Sequence, residues 1–230
     1  MSSIQTNLNK IDQEITDTAL SCLRQPDQIH LIAVSKKKDV HTVKLAIEAG
    51  ARHLGENYIQ EAIEKIDAIG KDAVSWHFIG HLQSNKARIA VEYFDFIHTV
   101  DSLKLAAEIN KQAKKIGKIQ NILVQVNISE EKTKSGTTTE NTLELVQAMC
   151  SFEHLSLQGL MCMPPYFSNP EKARPYFKQL AALKQDILNA GLIETSFNHL
   201  SMGMSNDFKI AIQEGATMVR IGTSVFGERN

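Results

Sequence analysis

A lysine and an arginine end two short apolar segments at opposite ends of this 230-residue sequence. Lys36 follows IHLIAVS, and Arg220 lies in TMVRIG, just before Gly222 and Thr223. A lysine at the end of a buried strand can lose its proton through desolvation and attack a carbonyl carbon. An arginine keeps its protons and offers several hydrogen-bond donors. Together these residue types indicate chemistry on a small carbonyl compound.

The stretch HLSMGMSNDF (199–208) has the composition of an anion site. Ser201 offers a hydroxyl, and Gly203 permits close backbone approach. A helix starting near Ser205–Asp207 would direct N–H groups at the anion, and Gly222 and Thr223 would add two backbone donors. The same residues are common in turns and caps that bind nothing.

A Schiff-base lysine together with a phosphate site is what pyridoxal 5′-phosphate (PLP) requires. A Schiff-base aldolase for a sugar phosphate requires the same two parts. Arg220 favours PLP, because a guanidinium facing the pyridine nitrogen would leave that nitrogen unprotonated and the cofactor a weak electron sink. Two interpretations that involve no ligand remain open. In one, Lys36–Lys38 are solvated loop lysines; in the other, Arg220 forms a buried ion pair.

The elements that must position these residues alternate between strand and helix patterns. Eight short β-rich segments are predicted: 29–35, 51–56, 75–80, 94–100, 118–128, 155–161, 195–201 and 217–222. Helical patterns separate them and helix 1–24 precedes them, which favours parallel βαβ units. A closed barrel and an open doubly wound sheet both fit. The barrel is favoured because AIEAGARHLGEN (46–57) and AIQEGATMVRIGT (211–223) repeat one design, and because AVSKKKDV lacks the Gly-rich fingerprint of an open sheet.

Alternation along the strands predicts which side chains enter the barrel. We expect five to meet at its C-terminal mouth, where barrel enzymes bind ligands: Lys36, Asn57, His81, Ser201 and Arg220. Others should fill the interior: His53, His77, Phe197, His199 and Met218. Trp76 should face the helices. In the helix after the fifth strand, Leu143, Val146 and Cys150 should form the apolar face.

Composition excludes several classes of protein. A formal net charge of −1 argues against a nucleic-acid binder, which would show a basic stripe. No apolar run is long enough for a membrane span, and the N-terminus lacks a signal-peptide core. Three cysteines without metal-ligand spacing favour a reduced, cytoplasmic protein and predict no metal site. We expect one domain, 1–230.

Five motifs resemble one known family: AVSKKKD (33–39), GENYIQE (55–61), WHFIGHLQSNK (76–86), HTVDS (98–102) and LSMGMSNDFKIAIQEGATMVRIGTSVFG (200–227). The chain is identified on them as similar to the YggS/PROSC family of PLP-binding, or PLP homeostasis, proteins over nearly its whole length. The resemblance implies a single (β/α)8 TIM barrel, an α/β fold like the N-terminal domain of alanine racemase, with an extra N-terminal helix.

The resemblance also implies roles for individual residues. Lys36 of AVSK is the PLP lysine, and Arg220 of VRIG faces the pyridine nitrogen. The phosphate contacts fall on Ser201, Gly222 and Thr223, and Asn57 of GENY lies beside the cofactor. The family usually has a glycine near position 130, where this chain has Glu130. Because the chain departs from the family in this segment, Lys134 receives no role.

The implied function is intracellular PLP (vitamin B6) homeostasis, with PLP held as a Schiff base and little or no catalysis. Alanine racemase draws a second acid/base from another domain, and a chain ending at Asn230 is expected to lack that domain. A PLP-dependent amino-acid racemase or related PLP enzyme is the alternative. PLP-dependent client enzymes are possible partners, and a monomer is expected.

Overall fold

The computed structural model describes residues 3–131, 134–193 and 197–227. Its strands are β1 (His30–Val34), β2 (His53–Glu56), β3 (Ser75–Phe78), β4 (Phe96–Val100), β5 (Gln120–Val126), β6 (Leu155–Cys162), β7 (His199–Met204) and β8 (Met218–Ile221). They pair in chain order, all parallel, and β8 closes onto β1. The predicted (β/α)8 barrel is confirmed, and the open sheet is excluded.

Helices on the outside of the barrel connect the strands. Along the described ranges they are α1 (Ser3–Ser21), α2 (Val40–Glu48), α3 (Ile59–Ile69), α4 (Ala87–Tyr93), α5 (Leu103–Lys115), α6 (Thr139–Met149), α7 (Arg174–Asn189), α8 (Phe208–Gln213) and α9 (Thr223–Phe226). Side-chain caps start several of them: Asp39 accepts a hydrogen bond from the Thr42 amide, and Ser102 accepts one from Leu105. Such caps satisfy amides that have no partner within the helix.

Two apolar layers hold the barrel together. An inner cluster of Ile32, Leu123, Met161 and Met218, with Phe96 against it, fills the axis. A larger outer cluster, which includes fully buried Trp76, lies between strands and helices. Phe197 belongs to this outer cluster, so the prediction that it enters the barrel is wrong. It precedes β7 rather than lying within it, and strand alternation therefore does not govern its direction.

Helix α6 packs through a different face from the predicted one. Thr142, Val146 and Met149 are buried, whereas Leu143 and Cys150 are exposed. The true face contains a threonine whose hydroxyl donates to the Thr138 carbonyl at 2.7 Å. That intrahelical bond satisfies the hydroxyl and lets a polar residue be buried, which hydrophobicity alone does not predict.

The extra N-terminal helix is confirmed as α1, which lies across α2, α8 and α9. Asn7 donates to the Val225 carbonyl at 3.0 Å, and Gln5 donates to the Ala49 carbonyl at 3.1 Å. Helix α1 thus covers the place where the first and last strands of the barrel meet. Within the part of the chain that is described, no helix has the length and apolar character to cross a membrane.

Candidate functional site

A cavity of about 280 Å³ opens at the C-terminal mouth of the barrel. Its wall is formed by the residues after β1, β7 and β8, with Asn57 after β2 and Ile79 after β3. The lining residues that matter below are Lys36, Lys38, Asn57, Tyr166, Ser205, Asp207, Arg220, Gly222 and Thr223. The structure therefore brings together five of the six predicted site residues: Lys36, Asn57, Arg220, Gly222 and Thr223.

Lys36 and Asn57 form one side of the cavity. Both are half-buried, and they follow neighbouring strands β1 and β2. The Oδ1 atom of Asn57 is buried and has no hydrogen-bond partner among the described residues. A buried acceptor without a partner is costly in a folded protein. Its accessible surface is below 1 Å², so a bound molecule or a water reaches it only after the Asn57 side chain turns.

Arg220 forms the floor. Its side chain is 4% exposed; Nη1 donates to the Ser201 hydroxyl at 2.6 Å and Nη2 to the Cys162 carbonyl at 2.9 Å. Burial lowers the pKa of Arg220, with the Cys162 thiol and the Asp207 carboxylate opposing that shift. A guanidinium still keeps its proton at any physiological pH. The ion-pair interpretation of Arg220 is not supported, since no carboxylate lies within salt-bridge distance of it among the described residues.

Ser201 lies outside the cavity lining, and its contact with phosphate stays a prediction. It is fully buried; its hydroxyl accepts from Arg220 and lies 2.9 Å from His98 Nδ1. The reason is that β7 runs to Met204, three residues beyond its predicted end. The residue that leaves the strand at the mouth is Ser205, in the same motif, and Ser205 lines the cavity.

Gly203 has a role other than the predicted approach to an anion. Its φ is +92°, and a Cβ there would lie 2.6 Å from Ala211 Cβ and 3.0 Å from Phe208 Cα. Glycine is therefore needed so that β7 and α8 can pack closely. Gly222 similarly faces Val34, whose carbonyl oxygen would lie 3.3 Å from an added Cβ.

A hydrogen-bonded line of histidines lies beneath Arg220 inside the barrel. His53 Nδ1 lies 3.1 Å from His77 Nε2, His77 Nδ1 lies 2.9 Å from His98 Nε2, and His98 meets Ser201. Burial lowers the pKa of His77 and of His98 well below the ordinary value, and lowers that of His53 to about 4. These imidazoles are neutral at pH 7, as expected for side chains that fill a barrel.

Arg220 is compatible with one consistent donor direction along this line. In this direction Ser201 Oγ accepts a hydrogen bond from Arg220, and the Ser201 hydroxyl donates one to His98 Nδ1. His98 then carries its proton on Nε2 and donates to His77 Nδ1. One fixed cation at the floor is thus compatible with a continuous chain of interior hydrogen bonds.

His81 and Tyr166, two candidate acid/base groups, differ in their positions. His81 is exposed, lies outside the cavity lining and approaches the Ser135 hydroxyl at 3.5 Å. Its prediction as a mouth residue of the cavity is not supported, because the chain leaves β3 at Phe78 and strand alternation ends there. Tyr166 lines the cavity but is 78% exposed. No cluster of three or more His, Cys, Asp or Glu side chains suited to a metal occurs in the described ranges.

Known proteins share both this sequence and this barrel. The family model for the alanine racemase N-terminal domain matches residues 4–230. A pyridoxal phosphate homeostasis protein of Vibrio alginolyticus is 42% identical over 234 residues, which covers 100% of this chain and 99% of the relative.

Solved structures of other proteins have a similar barrel. PipY of Synechococcus elongatus, determined with PLP bound, has a TM-score of 0.81 at 33% identity, covering 93% of this chain and 100% of PipY. An alanine racemase of Clostridium difficile has a TM-score of 0.73 at 19% identity and is covered over 57% of its length. This second likeness shows the fold alone. The chain belongs to the alanine racemase N-terminal domain family and, within it, to the pyridoxal phosphate homeostasis proteins, as its motifs predicted.

Proposed function

We propose that this protein binds PLP in the cavity at the barrel mouth, attaches it through Lys36, and serves intracellular PLP homeostasis without efficient catalysis. Residues 1–230 act as one PLP-binding domain in the cytoplasm. The observation that supports this most is the joint presence of Lys36 and Arg220 in one cavity of about 280 Å³. That volume is close to the lower end of the range for small-molecule sites.

The residues of the cavity fit PLP. Asn57 lines the cavity together with Lys36, at the ends of the neighbouring strands β2 and β1. Ser205, Gly222 and Thr223 meet at the exits of β7 and β8, where TIM barrels commonly bind phosphate. The first amides of α9 have no partner within the helix and can donate to phosphate oxygens. In this assignment Ser205 makes the phosphate contact that the family resemblance implies for Ser201.

PLP, when bound, supplies an aldehyde that condenses with a lysine amine and releases one water, and a pyridine ring that can accept electrons. Lys36 provides the amine. Arg220 can only donate a hydrogen bond toward the ring nitrogen, because it does not release its proton. The ring then stays a weak electron sink. This favours a protein that holds PLP over one that labilises a bond at an amino acid's α-carbon.

The open end of the barrel suits a protein that releases PLP and delivers it to other enzymes. Tyr166 and Met163 at its rim are 78% and 40% exposed, so the cavity is open to solvent. Open access to water weakens the electrostatic help that a closed active site gives. A carrier needs such access, since the cofactor must leave as well as arrive. We propose PLP-dependent client enzymes as partners, with neither nucleic acid nor membrane involved, and a monomeric protein.

Amino-acid turnover by the PLP-loaded protein should be far below the ordinary enzyme range of about 1 s⁻¹ and above. The reason is the unprotonated ring nitrogen that Arg220 maintains. Incubation with L-alanine and L-serine, followed by chromatography of D-isomers, keto acids and deamination products, measures it. Turnover near ~1 s⁻¹, lost in Lys36→Ala, would instead establish the amino-acid racemase or a related PLP enzyme as the function.

Ser205→Ala should weaken PLP binding by about 1–2 kcal/mol, the scale of one charge-assisted hydrogen bond. The substitution removes the Ser205 hydroxyl, which lies just after β7 and which we propose to bind the phosphate. Binding of inorganic phosphate and of PLP, each by calorimetry, measures the effect. Ser151→Ala is the matched control, because Ser151 is exposed beyond the end of α6 and outside the cavity lining. Equal affinities for Ser205→Ala and the unchanged protein would refute this phosphate contact.

A further inference from the structure

The segment that carries Lys36 is a tight turn in an unfavourable conformation. The Lys38 amide donates to the Ser35 carbonyl at 3.1 Å, which makes Lys36 and Lys37 the central residues of a β-turn. Lys37 has φ of +61°. A positive φ at the third turn position is typical of type II turns, which favour glycine or asparagine there. A lysine is strained in this conformation, because its Cβ lies too close to the following carbonyl oxygen.

Three buried or half-buried charged side chains contact the turn from the side away from the cavity. We call Lys65, Glu56 and Glu61 the Lys65 cluster. Lys65 Nζ donates to Glu56 Oε1 at 2.7 Å and to Glu61 Oε1 at 2.6 Å. The side chain of Lys65 is 3% exposed, and that of Glu56 is fully buried. These residues come from β2 and α3, and none of them lines the cavity.

The Lys65 cluster holds the residues on both sides of Lys36. Lys65 Nζ donates to the Ser35 carbonyl at 2.7 Å, and the Ser35 hydroxyl donates to Glu56 Oε1 at 2.6 Å. On the other side, the Lys37 amide donates to the Glu61 carboxylate. The backbone is therefore bonded immediately before and immediately after the residue that faces the cavity.

A purely stabilising role does not explain this arrangement well. Buried ion pairs often contribute no more stability than apolar residues of similar size, because desolvation offsets their attraction. Burial also raises the pKa of Glu56, a shift that Lys65 and Ser35 oppose. What the cluster supplies here is direction, since Lys65, Glu56 and Glu61 each form a hydrogen bond to Ser35 or Lys37, the two neighbours of Lys36.

We propose that the Lys65 cluster is a set of positioning residues that fixes the backbone at Lys36, so that its amine meets the PLP aldehyde without further ordering of the turn. This inference rests on the proposed function, because it assumes attachment at Lys36. It assigns a role to three residues that touch neither the cavity nor the cofactor. A preorganised group loses less conformational entropy on binding.

The test compares PLP with pyridoxamine 5′-phosphate, which has the same ring and phosphate but an amine in place of the aldehyde. It occupies the same cavity and cannot condense with Lys36. In Glu61→Ala, the Lys37 amide loses its acceptor while Lys65 keeps Glu56 and Ser35, so the fold is retained. We expect the ratio of PLP affinity to pyridoxamine phosphate affinity to fall on the order of tenfold, as for small misplacements of a reacting group.

Two matched variants separate positioning from general destabilisation. Ile66→Ala empties a buried position beside Lys65 on α3 and removes no atom that forms a bond of the Lys65 cluster. Lys111→Met removes an exposed lysine that pairs with Glu108 on α5. Both should keep the affinity ratio of the unchanged protein. An equal fall in Ile66→Ala, or an unchanged ratio in Glu61→Ala, would overturn the proposal.

Borohydride reduction of the unchanged protein separates a failure of the proposed function from a failure of this inference alone. If borohydride reduction fixes no PLP on Lys36 of the unchanged protein, the proposed function fails and the inference falls with it. If PLP is fixed on Lys36 but Glu61→Ala leaves the affinity ratio intact, the positioning role alone is wrong.

Discussion

Replacing Lys36 by alanine is expected to abolish covalent attachment of PLP completely. Lys36 lines the cavity just after β1, the strand that pairs with β8. Alanine has no amine to condense with the aldehyde. The protein is mixed with PLP, reduced with borohydride, digested, and the modified peptide is identified by mass spectrometry. The visible absorbance of bound PLP should disappear in parallel.

Neighbouring lysines make the peptide assignment the decisive part of this experiment. Lys38 also lines the cavity, but its Nζ donates to the Phe226 carbonyl at 3.2 Å. Lys44→Ala on the exposed face of α2 is the control and should retain full attachment. A PLP adduct on Lys38 of the unchanged protein, or undiminished attachment in Lys36→Ala, would show that the lysine was wrongly assigned.

Lys65→Met should cause a much larger loss of stability than a substitution that breaks an exposed ion pair. It leaves the carboxylate of Glu56 buried without its cation, and Glu56 Oε2 already has no partner among the described residues. Breaking a buried pair in this way costs about 3–5 kcal/mol. Urea unfolding, with the denaturant slope checked for constancy, measures the change.

The double variant Lys65→Met/Glu56→Gln tests the cause. It removes both charges, so the penalty of an unpaired buried carboxylate is gone, and it should be more stable than Lys65→Met alone. Lys111→Met, which breaks the exposed pair with Glu108, should cost no more than about 1 kcal/mol. Equal stability of Lys65→Met and Lys111→Met would contradict the buried-pair account.

The barrel was predictable because its signals repeat along the chain. Strand and helix patterns alternate with one period, and Gly50 and Gly215 end the helices of the two matching units, both with positive φ. The cap at Ser102 also follows from local sequence. The end of β7 was not predictable in the same way. Its last residues, Met202–Met204, include Gly203, which packs against α8, and Met204 still pairs with Arg220 of β8.

The position at which β7 ends determines whether Ser201 or Ser205 lines the cavity. A strand ending at Ser201 would present its hydroxyl at the mouth, whereas the longer strand places Ser201 one layer lower, beside His98 and Arg220. Residues predicted from β1 and β8 were placed correctly because those strands end where their apolar runs end. Register within a glycine-containing strand depends on contacts with distant residues, and a single sequence does not display them.

The Lys65 cluster escaped sequence reasoning for another physical reason. Lys65 lies on the apolar face of α3, among Ile59, Ala62 and Ile66, where a lysine is unexpected. That position was the available signal. Its partners Glu56 and Ser35 belong to other strands, so the pairing appears only when the barrel closes.

A crystal structure of this protein grown with PLP tests the central claim most directly. The account predicts continuous density between Lys36 Nζ and the cofactor, the ring nitrogen facing Arg220, and the phosphate at Ser205, Gly222 and Thr223. Asn57 should gain a hydrogen-bond partner from the cofactor or an ordered water. PLP bound outside the barrel mouth, or joined to a lysine other than Lys36, would contradict the account.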